Sequence, residues 1–260
     1  MYFVISPAKK LNESVEIPTK KYTQPKLLDQ AQLLMPLLQQ LAPHEIATLM
    51  SISDKLALQN AERYHNWQPP FTPENAKQAV YLFNGDVYEG LDALYLTESA
   101  LDYLQQHMSI LSGLYGVLKP LDLIQPYRLE MSIKLKNARG KDLYTFWGDI
   151  ITNTIEQNIQ SEEYKVLINL ASQEYFKAIN TKKISVPVIA PVFKDQKNGK
   201  YKIISFYAKR ARGLFMRFAA ENQLTDPEQL KEFDYDGYYY DKASSSESEW
   251  VFLRDENSHH

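Results

Sequence analysis

Residues 45–64, EIATLMSISDKLALQNAERY, could bind a phosphate group. Apolar residues recur at helical spacing on both sides of the tripeptide Ser51-Ile52-Ser53. We therefore predict two short helices joined by a hairpin, with Ser53 as the N-cap of the second helix. The residues expected to be buried are Ile46, Leu49, Leu56 and Ala61. Such a hairpin directs backbone N–H groups outward at a helix N-terminus, where an anion is favoured. Lys55 stands beside the hairpin and can contact the same anion.

This pattern is similar to the helix–hairpin–helix modules that hold a DNA phosphate. Those modules usually carry glycine where this chain has Ser51 and Ser53. Glycine lets a phosphate approach the backbone closely, whereas serine offers a hydroxyl donor and obstructs that approach. The alternative interpretation is an ordinary helical hairpin that packs on the core.

A second cluster, SFYAKRARG at residues 205–213, places three cations where a predicted strand runs into a helix. Positive charges at a helix N-terminus oppose the macrodipole, so Lys209, Arg210 and Arg212 require a compensating anion or acid. Arginine also suits bidentate phosphate contacts. The alternative is a structural ion-pair network, because residues 226–260 are rich in acids that could fold over this basic stretch.

Two further segments could form binding surfaces. The sequence SGLYGVLKP at residues 112–120 has a GxxG spacing that occurs in loops which clamp a nucleic-acid backbone, and a tight turn explains it equally well. The sequence NLASQEYFK at residues 169–177 predicts a strand that runs into a helix capped by Ser172, a place where α/β proteins bind ligands. Lys177 could reach back over that N-terminus, and a plain N-cap is the alternative.

The composition indicates an ordinary globular protein. The 260 residues are 44% hydrophobic and 23% charged, with a net charge of −3, close to the averages for folded domains. There is no cysteine, which excludes disulfides, thiolate nucleophiles and thiolate-bound zinc or iron–sulfur clusters. The apolar start is too short for a signal sequence, and no later apolar run approaches a membrane span. We therefore expect a cytoplasmic protein with no membrane partner.

Common enzyme signatures are absent from the sequence. We find no GxGxxG, P-loop, GxSxG or HExxH motif. His44, His65 and His107 are isolated, and His259-His260 have the form of a tag remnant. We therefore expect no metal and no cofactor, and we assign no catalytic residue.

Hydrophobic patterns and turn formers predict an α/β (α+β) protein with a mixed β-sheet and packed helices. The predicted strands are residues 2–6, 166–170, 186–193, 201–207 and 250–254. Besides the two helices of the hairpin segment, the predicted helices are residues 26–41, which Pro36 should kink or split, residues 73–83, residues 98–108 with Thr97 as the N-cap, residues 143–159 and residues 208–222. Asn198-Gly199 predicts a hairpin between the third and fourth strands. We expect one domain over residues 1–260, with residues 44–65 as a helical appendage, and a monomer.

The chain as a whole resembles the YaaA family of bacterial peroxide-stress proteins. The segments that carry the resemblance are 6–9, 49–57, 83–88, 111–116, 125–131, 137–144, 169–172, 203–213 and 237–239. The resemblance implies a cytosolic protein that limits hydrogen peroxide damage by lowering unincorporated iron. It also implies a mixed α/β fold with a helix–hairpin–helix element beside a basic cleft that binds duplex DNA. No enzymatic activity follows from it.

The leading interpretation is a DNA-binding stress protein that contacts phosphates and DNA shape more than base edges. The predicted DNA-binding residues are Ser51, Ile52, Ser53 and Lys55 at the hairpin, Lys209, Arg210 and Arg212 on the cleft wall, and Lys9, Arg128 and Lys177 in addition.

Two other interpretations stay open at this point. The first is an enzyme that acts on a nucleotide or nucleic acid, in which Ser6, Lys9, Tyr115, Glu130, Ser172 and Lys177 converge in one pocket. The second is direct iron binding by Asp234, Asp236 and Asp241, since carboxylates suit iron. With no cysteine and only scattered histidines in the sequence, iron binding is the weakest of the three interpretations.

Overall fold

The computed structural model describes residues 1–258 and has a mixed α/β fold, which confirms the predicted fold class. The strands are β1 (Tyr2–Ile5), β2 (Lys10–Leu11), β3 (Lys77–Gln78), β4 (Phe83–Asn84), β5 (Met108–Ser112), β6 (Gly116–Leu118), β7 (Leu123–Ile124), β8 (Leu167–Leu170), β9 (Val188–Lys197), β10 (Lys200–Lys202), β11 (Tyr238–Tyr240) and β12 (Glu249–Arg254). The α-helices are α1 (Leu28–Gln39), α2 (Pro43–Met50), α3 (Asp54–Asn66), α4 (Ala79–Leu82), α5 (Asp86–Leu91), α6 (Glu98–His107), α7 (Leu143–Trp147), α8 (Ile150–Ser161), α9 (Gln173–Phe176) and α10 (Ser205–Glu221).

The main sheet has eight strands, seven of them in the order β11-β12-β9-β8-β1-β5-β6, with β10 paired to β9. The five strands from β12 to β5 are mutually parallel, whereas β6, β10 and β11 each pair antiparallel to a neighbour. Strand β1 has the sequence YFVI, and all four side chains are buried. A continuous apolar run of this kind is expected where both faces of a parallel sheet are covered.

The connections of the sheet reverse direction between β1 and β8. From β1 the chain reaches β5 on one side, then crosses to β8 on the other side of β1 and continues outward to β9. In open α/β sheets, ligands bind in the crevice outside the carboxyl ends of the strands at such a switch point. The fold therefore defines one place where a ligand site is expected.

Several sequence predictions are confirmed. Thr97 caps α6 by accepting a hydrogen bond from the backbone N–H of Ala100. Asn198 and Gly199 connect β9 to β10 in an antiparallel hairpin, and both have positive φ angles, as a tight hairpin turn requires. Ser53 caps α3 through a bond from the N–H of Leu56.

Other predicted boundaries were wrong. Residues 201–207 are not one strand, because β10 ends at Lys202 and α10 begins at Ser205. The predicted helix 143–159 is interrupted at Gly148, whose φ of 48° lies outside the helical region. Most of residues 73–83 is not helical, since β3 pairs with β7 and only the four residues of α4 form a helix. Helix α1 continues through Pro36 and is not split.

Helices α2 and α3 are joined by residues 51–53, and part of the predicted burial is correct. Ile46 of α2 is fully buried, whereas Leu49 and Ala61 are half-buried. Leu56 is 39% exposed, contrary to our prediction. The buried face of α3 is formed instead by Ala57, Asn60 and Tyr64. Among residues 1–258, no helix is long and apolar enough to cross a membrane.

Two glycines let α5 and α10 pack backbone against backbone. A Cβ atom at Gly213 would lie 1.8 Å from the carbonyl oxygen of Val87. A Cβ atom at Gly90 would lie 2.1 Å from the carbonyl oxygen of Arg210. Because both obstructing atoms belong to the backbone, no side-chain movement can make room for a larger residue at either position.

We expect Gly213→Ala to lower the free energy of unfolding by at least about 2 kcal/mol, because the added methyl group forces the two helices apart. This loss exceeds the gain of about 1 kcal/mol that alanine brings to a helix interior. Urea unfolding of both proteins measures the difference. Gly199→Ala is the control, because nothing lies within 4 Å of its added Cβ and only its positive φ of 72° opposes the change. A Gly213→Ala variant as stable as the wild type would contradict the tight packing.

Candidate functional site

A cavity of about 410 Å³ opens at the carboxyl ends of β1 and β8, and we call it the switch-point pocket. Its walls come from the segment after β1, the start of α5, the β8–α9 turn and the first turns of α10. Its lining residues are Ser6, Pro7, Ala8, Lys9, Lys10, Asn84, Gly85, Asp86, Val87, Tyr88, Glu89, Ser172, Glu174, Tyr175, Lys209 and Arg212. Residues distant in sequence therefore meet at the place that the sheet topology indicates.

Hydrogen bonds fix the floor of this pocket. The hydroxyl of Ser6 accepts a bond from the backbone N–H of Ser172 at 2.8 Å and donates to the Ser172 hydroxyl at 3.3 Å. The hydroxyl of Tyr88 donates to the carbonyl of Ser6 at 2.9 Å, and burial raises the pKa of Tyr88 well above its ordinary value. Tyr88 therefore stays a neutral donor that ties α5 to the end of β1.

Lys9, Glu130 and Arg128 form a chain of charges at one side of the pocket. The Lys9 ammonium lies 3.4 Å from the carboxylate of Glu130. The guanidinium of Arg128 lies 2.8 Å from the same oxygen of this buried carboxylate. Because two cations share one acid, this group carries a net positive charge. Most of the positive charge of Arg128 is nevertheless compensated inside the protein.

The three cations of the α10 cluster face different surroundings. Lys209 and Arg212, three residues apart on the helix, both line the switch-point pocket. Among residues 1–258, neither has a carboxylate within 4.0 Å. Arg212 is half-buried, and desolvation lowers the pKa of its guanidinium below the ordinary value. Arg210 instead lies 3.7 Å from Asp236 of the acidic C-terminal segment.

Two acids of the pocket, Asp86 and Glu89, were not among the residues predicted from the sequence. Both belong to α5, and neither side chain has a hydrogen bond or ion pair within the described part of the chain. Asp86 follows Gly85, whose φ of 154° favours glycine and turns the chain into the helix. The sequence Asn-Gly-Asp could have drawn attention to this turn. The residues of α10 that line the same pocket, however, lie more than 100 residues away along the chain.

The turn between α2 and α3 is exposed at Ser51, Ser53 and Lys55, and Ile52 is half-buried. The N–H groups of Ser51 and Ile52 bond to carbonyls in the last turn of α2. At the start of α3 the N–H of Leu56 is capped by Ser53, whereas the N–H groups of Asp54 and Lys55 have no acceptor among residues 1–258. Ser51 has a left-handed backbone with φ of 52°.

A series of contacts connects this turn to the pocket. The hydroxyl of Tyr64 on α3 lies 3.7 Å from the sulfur of Met50, the last residue of α2, and also donates to the carbonyl of Arg128. Arg128 in turn meets Glu130, which pairs with Lys9 on the pocket wall. A continuous series of contacts therefore runs from the α2–α3 turn to the switch-point pocket.

The residues of the proposed enzyme site converge only in part. Ser6, Lys9 and Ser172 line the pocket, with Glu130 beside Lys9. Tyr115 is fully buried elsewhere, where its hydroxyl accepts a bond from the indole of Trp67. Lys177 is exposed and lies over the ring of Tyr144, 5.0 Å from its centroid. The last two residues therefore do not belong to the pocket.

The C-terminal acids are engaged in structural contacts. Asp236 lies 2.6 Å from Arg254, and Asp241 accepts a bond from the N–H of Ser244 at 3.1 Å. Within the part of the chain that the structure describes, no three histidine, aspartate or glutamate residues are grouped so that they could hold a metal ion. The geometry therefore gives no support to an iron site at Asp234, Asp236 and Asp241.

The fold and the site define a mixed α/β protein with a pocket of mixed charge at the switch point of its sheet. Residues 1–244 match the family described as "Peroxide stress protein YaaA". A UPF0246 protein of Neisseria gonorrhoeae is 60% identical over 256 residues, which cover 98% of this chain and 99% of the relative. A UPF0246 protein of Neisseria meningitidis serogroup C has the same identity and coverage. This chain therefore belongs to the YaaA family of peroxide stress proteins.

The unpaired Arg212 contrasts with Arg254, which is buried and pairs with the buried Asp195 at 2.6 Å. We expect Arg212→Met to leave the free energy of unfolding unchanged or to raise it by about 1 kcal/mol, because a desolvated charge is removed. Arg254→Met should lower it by about 3–5 kcal/mol, because Asp195 is left buried without its partner. Chemical unfolding measures both variants. An equal loss of unfolding free energy in the two variants would show that Arg212 has a structural partner.

Proposed function

We propose that this chain is a cytosolic DNA-binding protein of the hydrogen peroxide stress response that limits damage from unincorporated iron. Its family membership supports the role in peroxide stress. The observation that carries the DNA-binding part is a set of three cations, Lys55, Lys209 and Arg212, with no carboxylate partner among residues 1–258. Unpaired cations release counterions when they meet phosphates, and this release drives DNA association.

The exposed turn between α2 and α3 supports phosphate binding at one end of this surface. The hydroxyls of Ser51 and Ser53 and the ammonium of Lys55 are accessible to a ligand. They lie around the N-terminus of the 13-residue helix α3, where free N–H groups and the helix dipole favour an anion. Asp54 in the first turn opposes this effect, because its negative charge competes for the same position.

The contacts that run from Met50 through Tyr64 and Arg128 to Lys9 fix the turn relative to the pocket, which supports the use of both by one DNA duplex. We assign the larger contributions to Lys55, Lys209 and Arg212. Smaller contributions are expected from Lys9, Arg128, Lys177 and Arg210, whose charges already have partners. Contacts of this kind fix the position of a protein on DNA and carry little sequence information.

We expect duplex affinity to fall roughly a hundredfold between about 50 and 200 mM salt, if about four phosphates are neutralised at a slope near −0.9 for each. The double variant Lys55→Ala/Lys209→Ala should reduce that slope by up to about two units. Fluorescence anisotropy of a labelled duplex at several salt concentrations measures it. Asp54→Asn should strengthen binding, because it removes the competing negative charge.

Lys183→Ala is the matched control, since Lys183 is an exposed lysine already paired with Asp149 at 2.7 Å. It should leave the slope unchanged. A thermal melt establishes that each variant is folded. A folded double variant with the slope of the wild type would overturn the assignment of Lys55 and Lys209 to DNA.

The iron-related part of the proposal has its own test. Deletion of the gene should raise the electron paramagnetic resonance signal of unincorporated iron in cells exposed to hydrogen peroxide, and the wild-type gene should restore the lower signal. Cells that carry the double variant show whether DNA binding is needed for this effect. A deletion strain with an unchanged iron signal would overturn the iron-related part and leave the DNA-binding part standing.

A further inference from the structure

The switch-point pocket contains more than a phosphate-binding surface needs. Asp86 and Glu89 lie in it together with Lys209 and Arg212, and all four charges lack an ionic partner among residues 1–258. A DNA backbone is a continuous row of negative charges, so acids at its binding surface reduce affinity. Free acids beside free cations suit instead a small ligand that has both an anionic group and hydrogen-bond donors.

The geometry of the cations fits a phosphate. Lys209 and Arg212 project from the same face of α10, and the guanidinium of Arg212 is half-buried at the pocket. A planar guanidinium binds two phosphate oxygens at once, and a neighbouring ammonium adds a second positive charge. A terminal phosphate with about two negative charges would balance this pair.

The acids and the apolar wall fit the rest of a nucleotide. Carboxylates at the switch point of an α/β sheet accept hydrogen bonds from ribose hydroxyls. Pro7, Ala8 and Tyr175 provide apolar surface for a base. The cavity of about 410 Å³ lies within the range of about 300–1,000 Å³ that small-molecule sites occupy.

The α5–α10 contact gives this arrangement the rigidity that a specific site needs. Gly90 and Gly213 hold the two helices at backbone distance, so the acids of α5 and the cations of α10 cannot move apart independently. The Ser6–Ser172 bonds fix the floor of the pocket, and Tyr88 ties α5 to that floor. A site whose parts are held in advance loses little entropy when it binds a small ligand.

We propose that the switch-point pocket binds a single nucleotide, with its 5′-phosphate on Lys209 and Arg212 and its ribose hydroxyls on Asp86 and Glu89. The nucleotide is either free or the phosphorylated end of a nucleic-acid strand, since both present the same chemical groups. This site goes beyond the binding of duplex phosphates and does not depend on it, because the two acids are its distinguishing feature.

Isothermal titration calorimetry with AMP, GMP, CMP and UMP tests the proposal, with adenosine, dAMP and inorganic phosphate as comparison ligands. At least one ribonucleotide should bind with a Kd tighter than about 1 mM, and its nucleoside and inorganic phosphate should bind at least about tenfold more weakly. A 5′-phosphorylated single-stranded oligonucleotide that binds more tightly than the free nucleotide identifies a strand end as the ligand. If the free nucleotide binds more tightly than the oligonucleotide, the free nucleotide is the ligand.

Variants separate this site from the DNA surface. Arg212→Met should weaken nucleotide binding at least about tenfold, and Lys209→Ala provides a second test at an exposed position. The double variant Asp86→Asn/Glu89→Gln should weaken ribonucleotide binding while it leaves duplex binding unchanged or stronger. Lys55→Ala, the control, should weaken duplex binding and leave nucleotide binding unchanged.

Absence of binding by all four ribonucleotides at about 1 mM would overturn the pocket proposal, as would wild-type nucleotide affinity in a folded Arg212→Met variant. Duplex binding is measured on the same preparations. Nucleotide binding without duplex binding would overturn the proposed DNA function and retain the pocket. Duplex binding without nucleotide binding would overturn the pocket proposal and retain the proposed DNA function.

Discussion

The close contact between α5 and α10 is the constraint on which the candidate site depends. Gly90 and Gly213 bring the two backbones together, and any Cβ at either position would overlap a carbonyl oxygen. Since α10 also packs on β9 of the main sheet, α5 is positioned relative to the sheet through α10. The pocket between β1, β8 and these helices therefore has walls whose separation is set by backbone contact.

Two arginines of the C-terminal half, Arg254 and Arg212, differ in whether their charge is paired with an acid. Arg254 is buried, but Asp195 and Asp236 compensate it within hydrogen-bonding distance. Arg212 is half-buried and has no carboxylate partner among residues 1–258, which is costly in a protein interior. A fold that pairs the buried Arg254 with two acids and leaves Arg212 unpaired at a pocket has the electrostatic pattern of a site for an external anion.

The α2–α3 turn and the switch-point pocket offer two different surfaces to anions. The turn is exposed, with serine hydroxyls in place of the close backbone approach that glycine would allow. The pocket is concave and contains acids as well as cations. The proposed duplex binding uses the first surface and the cationic rim of the second, whereas the proposed nucleotide site needs the interior of the second.

Local patterns in the sequence determined the fold class and much of the helix and strand content. Caps and turns such as Ser53, Thr97 and Asn198-Gly199 could be predicted from the sequence, because they depend on hydrogen bonds between residues only a few positions apart. Segment boundaries were harder to predict at residues 201–207, where β-branched and aromatic residues favour a strand, but β10 ends at Lys202 and α10, which packs on α5, begins at Ser205. There, tertiary contacts overrode local propensity.

The composition of the site was decided by the tertiary structure. The sequence identified Ser6, Lys9, Ser172, Lys209 and Arg212 as candidates, and the sheet topology brought these five to one pocket. It could not show that Arg210 turns toward the C-terminal acids, or that Tyr115 lies in the core. It also gave no reason to select Asp86 and Glu89. Whether a charge is paired depends on residues that are distant along the chain and adjacent in space, and no local pattern carries that information.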